Sequence, residues 1–191
     1  MTTPQSPLGG ARYDGLVTVV ELDPVGTITL RGDLADKAIV KAAHEVSGTA
    51  MPGPLQGSGT ETAGLLWMAP DEVAVMVPRS EVAERAAALS AAVADRHALV
   101  ADVSDARAHF TLSGADGDVR AVLAKLAAVD FDAAQTPVGT FRRTQLGQVA
   151  AGIWLREPGL AQVFTFRSVA RYTFDLLSHA ADPAARIALF D

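Results

Sequence analysis

The stretch "WMAPDEVAVMVPRS", Trp67 to Ser80, has a counterpart in "WLREPGLAQVFTFRS", Trp154 to Ser168: a tryptophan, a turn bearing a proline, a β-rich run, then Arg-Ser. Reading the two together decides the fold, because a doubled unit changes the meaning of every motif inside it. Taken alone, Asp71 and Glu72 are adjacent carboxylates between apolar runs, the raw material of an acid–base pair. Where the first copy has Ala-Pro-Asp-Glu the second has Arg-Glu-Pro-Gly, so each segment reads as a turn joining two strands of a hairpin. The acid pair is therefore assigned to a solvated turn. The second Trp-to-Arg segment is one residue longer, which a hairpin bulge can absorb.

Working outward, "TITLRG" from Thr27 resembles "HFTLSG" from His109. Ile28 and Leu30 alternate with polar residues in the first, Phe110 and Leu112 in the second, which predicts two half-buried strands with His109 on the polar side. Helical spacing follows each glycine: Leu34, Ala38, Ala42 and Val46 share one face, as do Ala115, Val119, Val122, Leu123 and Leu126, with Asp33 and Asp116 near the helix starts. Each Arg-Ser opens another helix, with Ser80 and Ser168 as N-caps. Their apolar stripes are Val82, Ala86, Leu89 and Val93 in one, and Val169, Tyr172, Leu176 and Leu177 in the other. Further strands are expected near Leu16 to Glu21, Leu99 to Val103 and Gly139 to Gln145.

The fold class is α+β: two tandem ferredoxin-like β-α-β-β-α halves related by a pseudo-twofold repeat. The expected organisation is a flexible tail over residues 1–11, a first half over 12–104 and a second over 105–191, joined by "ADVSDAR" at Ala101 to Arg107 into one compact unit.

Composition bounds the function. A chain of 191 residues with 49% hydrophobic and 20% charged residues can bury a sizeable core and fold without staples. A net charge of -6 with no basic run argues against nucleic acid and against an anionic membrane surface as partners. The absence of cysteine excludes disulfides, thiolate nucleophiles and zinc–thiolate or iron–sulfur ligation. "MTTPQSPLGG" lacks the features of a signal peptide and no segment is apolar enough to span a bilayer, so a cytoplasmic protein is expected.

Few residues invite chemistry. Gly57-Ser58-Gly59 lies in a long loop, Gly48 to Thr62, but a dinucleotide fingerprint needs a glycine where Thr62 stands and a helix after it, and a strand is predicted there instead. His44, His97, His109 and His179 stand apart, with no metal-binding spacing. Asp102, Ser104 and Asp105 put carboxylates beside a hydroxyl without a base to activate it. Arg142 and Arg143 read as a solvated pair on a strand edge. No catalytic, cofactor-binding or metal-binding residue is assigned.

Taken in order, "TLRGD" at Thr29, "LLWMAPDEVAVMVP" at Leu65, "DVSDAR" at Asp102, "LSG" at Leu112, "VLAKLAAVDFD" at Val122 and "FRSVARYTFDLLSHAA" at Phe166 resemble the gamma subunit of heterotetrameric sarcosine oxidase. The sequence departs from the family's pattern at Ala69, which stands for a glycine, and at Leu126-Ala127-Ala128. The resemblance implies a fold similar to the folate-binding domain of the aminomethyltransferase group. It also implies a non-catalytic subunit of a bacterial complex that oxidises sarcosine to glycine, producing hydrogen peroxide and either formaldehyde or 5,10-methylenetetrahydrofolate. FAD, FMN, NAD, tetrahydrofolate and zinc would belong to the whole complex, with none bound by this chain. The partners implied are the large alpha subunit, with beta and delta. A free-standing folate-binding protein of the same fold and a small-molecule regulatory module are the other readings.

Overall fold

Two strands lie in sheets other than those their neighbours in sequence would suggest. The computed structural model describes residues 5–187, 189 and 190. Its strands are β1 (Arg12–Asp14), β2 (Thr18–Glu21), β3 (Gly26–Arg31), β4 (Gly57–Gly59), β5 (Gly64–Ala69), β6 (Glu72–Val77), β7 (Leu99–Asp102), β8 (Arg107–Ser113), β9 (Phe141–Leu146), β10 (Val149–Glu157) and β11 (Leu160–Phe166). Its helices are α1 (Lys37–Ser47), α2 (Val82–Ala92), α3 (Asp116–Ala124) and α4 (Ala170–Ala180). One sheet has the order β4-β5-β6-β3-β7, the other β1-β2-β8-β11-β10-β9, and every pairing is antiparallel.

Strand β2 runs directly into β3 yet pairs with β8, while β7 runs directly into β8 yet pairs with β3. Each half thus lends its leading strand to the other half's sheet. The two orders then correspond, with β9, β10, β11, β8 and β2 matching β4, β5, β6, β3 and β7. A continuous unit spans Val25–Ser104, and a split unit comprises the chain up to Pro24 together with Asp105 onward. The reading that placed residues 12–24 with the first half is corrected accordingly. Val17 and Val19 belong to the split unit's core, and alternation alone says which face of a strand is apolar, not which strand it joins.

In the continuous unit, Ile28, Leu30, Leu65, Val73 and Val75 of the sheet pack on Ile39, Ala43 and Val46 of α1 and on Val82, Leu89 and Val93 of α2. Burying each large aliphatic side chain contributes roughly 1.5–3 kcal/mol. The α1 stripe is centred on Ile39 and Ala43; Ala38, expected within it, is only half-buried. Asp36 caps α1 by accepting from Ala38 N at 2.8 Å, and Gly48, at φ 72°, ends it in a left-handed turn. Asp33, expected at the start, instead accepts from Ala35 N just before the helix.

The split unit packs Phe110, Leu112, Ile153, Leu155, Ala161 and Val163 against Val119, Val122 and Leu123 of α3 and Ala170, Leu177 and Ala180 of α4. Tyr172, placed on the apolar stripe by spacing, is 41% exposed, and the small residues Ala170 and Thr173 take the buried side instead. Ser80 and Ser168 cap nothing: α2 and α4 are each entered through a 3-10 turn, Arg79–Glu81 and Arg167–Val169, with no side-chain cap. The segment before β1 is tied down where described. Leu8 packs on the core, and Leu8 N and Gly10 N donate to the Glu21 carboxylate at 3.0 and 2.9 Å, against the expectation of a loose tail. The rest of that tail, residues 1–4, lies outside the described residues.

The long connection from α3 to β9 is organised by Arg120, which is buried at 3% exposure. Its Nε pairs with Asp116 Oδ2 at 2.8 Å, and Nη1 donates to the carbonyls of Phe131 and Thr136 at 2.8 and 2.9 Å. Asp116 Oδ1 accepts from Gly159 N in the β10–β11 turn. Partial desolvation would raise the Asp116 carboxyl, but the Gly159 hydrogen bond and Arg120 together hold it below the usual carboxylate range.

Candidate functional site

Sheets with helices on one side usually leave the other side polar and wet. In this chain the helix-free faces are largely buried too, and the two differ in chemistry. On the continuous unit's helix-free face stand Leu66, Met68, Ala74, Met76 and Thr27, all buried. On that of the split unit the register sets out two buried rows. One runs His109–Phe164–Gly152 and ends at the exposed Arg143; the other runs Thr111–Gln162–Trp154–Phe141. His109, expected on the polar side of its strand, is 3% exposed.

This second face is aromatic and polar together. The rings of Phe141 and Phe164 stack with centroids 5.7 Å apart and planes 12° apart, and His109 lies against Phe164 at 5.5 Å. Gly152 makes room for them: a Cβ there would fall 2.5 Å from the Phe164 ring and 2.9 Å from that of Phe141. The Arg107 guanidinium lies 5.7 Å from the Phe164 centroid and 4.4 Å from that of Phe166, and Arg156 lies 5.6 Å from the Trp154 ring.

His109 Nδ1 meets Gln162 Nε2 at 3.5 Å. With the carboxamide donating, Nδ1 is the acceptor and the imidazole proton sits on Nε2. Nε2 and the indole Nε1 of Trp154 are buried without a hydrogen-bond partner among the described residues. Burial, with Arg107 adding to it, pushes the His109 pKa down to about 4, so the ring is neutral at pH 7. A neutral imidazole and an indole N–H on an aromatic floor can orient a polar planar group; among the described residues no hydroxyl is held against the imidazole to form a nucleophile–base pair.

The other residues that invited chemistry have structural partners. Asp71 sits in the β5–β6 turn and pairs with Arg31 Nε at 2.8 Å, while Glu72 opens β6 opposite Arg31 in the ladder. Beside them is a hollow of about 470 Å³ whose lining includes Gly32, Asp33 and His97. Ser104 Oγ accepts from Thr27 N at 2.9 Å and donates to Asp102 Oδ1, which commits the hydroxyl's one proton; Asp105 is exposed. Gly57–Gly59, expected in an irregular loop, forms the edge strand β4 and no helix follows it, so the residues do not fit a pyrophosphate cradle. His44, in α1, and His179, in the last turn of α4, are exposed, as is His97. Arg142 and Arg143 lie on the edge strand β9. Among the described residues no group of three or more His, Asp or Glu is placed to hold a metal ion, and no helix is long and apolar enough to cross a membrane.

Trp67 and Trp154 lie on equivalent strands but on opposite faces. Leu65 and Ile153 pair with Val75 and Val163 respectively, so Trp67 corresponds to Leu155 and Trp154 to Leu66. A one-residue slip turns a side chain to the other face. Bulges fall between Trp67 and Ala69 and between Leu155 and Glu157.

The chain superposes on heterotetrameric sarcosine oxidase from Corynebacterium sp. U-96, solved in complex with pyrrole 2-carboxylate, with a TM-score of 0.76 and 20% identity over 92% of this chain and 90% of that one. It also superposes on the glycine cleavage system aminomethyltransferase T from Bartonella henselae, with a TM-score of 0.60 and 15% identity, covering 82% of this chain and 44% of the other. At these identities the likeness is one of fold. No curated protein sequence matches the chain. A model of the sarcosine oxidase gamma subunit family matches residues 31–182, most of both units, and the chain belongs to that family.

Proposed function

We propose that this chain is the gamma subunit of a heterotetrameric sarcosine oxidase and supports assembly of the flavin-containing complex without catalysing the reaction. The observation that carries the reading is the family match over residues 31–182. The engagement of Asp71, Asp102 and Ser104 in structural contacts supports it. The complex would demethylate sarcosine oxidatively in the bacterial cytoplasm, giving glycine, hydrogen peroxide and formaldehyde or 5,10-methylenetetrahydrofolate. FAD, FMN, NAD, tetrahydrofolate and zinc would be held by other subunits, and the large alpha subunit would be this chain's main partner, with beta and delta completing the assembly.

The test is co-expression. The isolated chain should be colourless and consume no oxygen with sarcosine, while a tagged copy should carry the large flavin-bearing subunit through purification. A yellow isolated protein, or oxygen uptake by this chain alone, would overturn the proposal. A free-standing folate-binding protein is a second reading, favoured by the buried, unpartnered His109 Nε2 and Trp154 Nε1. Tetrahydrofolate at tens of micromolar should then raise the melting temperature of the isolated chain, and under the first reading it should not.

A further inference from the structure

We propose that β4 is where an extended segment of another subunit of the oxidase adds a strand to the continuous unit's sheet, with Leu55 as the apolar anchor beside it. This rests on the subunit reading above. β4 ends its sheet, and its one neighbour among the described strands is β5. Gln56 O accepts from Trp67 N at 3.0 Å, Thr60 N donates to Ala63 O at 2.7 Å, and Ser58 stands midway between them, opposite Leu65. Hydrogen-bonded pairs recur at every second residue of an antiparallel ladder, so Gln56, Ser58 and Thr60 turn their backbone groups to β5. Across planar trans peptides, the N–H and C=O of Gly57 and the N–H of Gly59 then point away from the sheet. Groups so spaced are met by the main chain of one further strand.

Charged side chains guard sheet edges against stray pairing, and the other three edge strands among the described residues carry them. β1 has Arg12 and Asp14, and β7 has Asp102. β9, the counterpart of β4 in the other sheet, has Arg142 and Arg143 and is bridged at Leu146 by Ala127. β4 has no side chain beyond Ser58, whose hydroxyl donates to Ala50 O at 2.7 Å, and no Lys, Arg, Asp or Glu occurs from Gly48 to Thr60. Glycines at an edge leave space beside the incoming strand, which selects a segment with β-branched or aromatic side chains opposite Gly57 and Gly59. A second copy of the chain fits poorly, because β4 laid antiparallel on its own copy about Ser58 sets glycine against glycine.

The turn before β4 supplies the anchor. Gln56 N donates to Gly53 O at 3.1 Å, and Leu55 takes the third position of that turn at φ 61°, where glycine is the ordinary choice. Leu55 is nevertheless 42% exposed, so neither the backbone nor the core accounts for a leucine there. Pro52 and Pro54 stiffen the turn, which lowers the entropy lost when a partner covers it.

The experiment measures amide hydrogen exchange, residue by residue, on the full chain alone and in the complex formed by co-expression with the other subunits of its oxidase. The amides of Gly57 and Gly59 should exchange freely in the isolated chain and at least about tenfold more slowly in the complex. Leu55→Asn keeps a residue that tolerates the left-handed turn but removes the apolar side chain. With its melting temperature unchanged, it should bind the other subunits about tenfold more weakly. Leu99→Ser, which alters a leucine 55% exposed on β7, should bind as wild type does. Equal exchange of Gly57 and Gly59 in the free and the assembled chain would overturn the strand addition and leave the subunit reading standing. Wild-type binding by folded Leu55→Asn would strike out the anchor. Failure of the wild-type chain to assemble would overturn the subunit reading itself. Protection of the same two amides in the isolated chain, growing with its concentration, would replace the other subunit with a second copy.

Discussion

The two sheets share one topology and differ on the face their helices leave bare. Position for position, Thr27 corresponds to His109, Thr29 to Thr111, Ala74 to Gln162, Met76 to Phe164 and Leu66 to Trp154. The continuous unit's set is apolar apart from the hydroxyls of Thr27 and Thr29 and needs little beyond burial. The split unit's set brings the Gln162 carboxamide together with an imidazole and an indole, and each polar atom of those two rings buried without a partner costs about 1–3 kcal/mol. His109 Nε2 and Trp154 Nε1 are two such atoms. Since the same backbone places Ala74, Met76 and Leu66 at three of the equivalent positions and threonines at the other two, the fold does not require a buried imidazole, carboxamide or indole there. The polar groups that burial alone does not account for therefore lie in the split unit.

The contrast extends to the connections from helix to edge strand, where the largest effect is expected. After α1 the chain is held by neutral groups: Ser47 Oγ donates to Ala43 O at 2.7 Å, and Ser58 Oγ donates to Ala50 O at 2.7 Å. After α3 it is held by the buried cation of Arg120. Replacing Arg120 with Met leaves the carbonyls of Phe131 and Thr136 without their donor and removes one of the two partners of Asp116, and should cost about 2–5 kcal/mol, a fall in melting temperature of roughly 10 °C for a chain of this size. Ser47→Ala should cost about 1 kcal/mol. Thermal unfolding of both variants checks this; equal losses would erase the distinction between the two connections.

A smaller effect separates the units by pH. His109 has a folded pKa of about 4, below its ordinary 6.5, so as pH falls the unfolded chain takes up the proton first. The stability tied to a neutral His109 is complete above pH 6.5, is lost progressively towards pH 4, and amounts to at most about 3 kcal/mol. The corresponding residue of the other sheet, Thr27, does not titrate. Urea unfolding between pH 7.5 and 4 should show this slope in wild type, and His109→Gln should flatten it over that window. The depressed Asp116 carboxyl adds a separate loss at lower pH, where it becomes protonated. A slope unchanged in His109→Gln would mean that the burial of His109 carries no such linkage.

What was legible in the sequence follows the range of the forces involved. The repeat, the hairpins around Asp71 and Pro158, and the core faces of β3 and β8 depend on alternation within a few residues, and these read correctly. The partner of β2 depends on contacts between Val19 and Leu112, far apart in the chain, and no local pattern encodes them. The two tryptophans fall on equivalent strands as expected, and only the pairing registers, one residue apart, show that they take opposite faces. Strict alternation puts His109 in solvent because it assumes one wet face. The signal that could have corrected it was Phe164 and Phe166, apolar residues sharing the face on the neighbouring strand. Arg120 was missed because a lone arginine in a helix looks like any solvated cation until the loop it holds is in place.

The smallest effect is expected where the sequence first suggested chemistry. Asp71 is half-exposed and its partner Arg31 is 57% exposed, and an ion pair in that setting adds little to stability. The matching turn of the split unit carries Pro158 and Gly159 instead, so the topology does not depend on acids there. Asp71→Asn combined with Glu72→Gln should therefore leave the melting temperature within roughly 2 °C of wild type. Oxygen consumption by the assembled complex with sarcosine should stay within a few-fold. The Arg31 guanidinium, which the Asp71 hydrogen bond and charge hold in its protonated form, remains fully charged at neutral pH without them, so no new titration enters. A loss of activity by several orders of magnitude in a folded, assembled variant would give the acid pair a role in the reaction. It would also reverse the comparison, making the continuous unit the one that carries function.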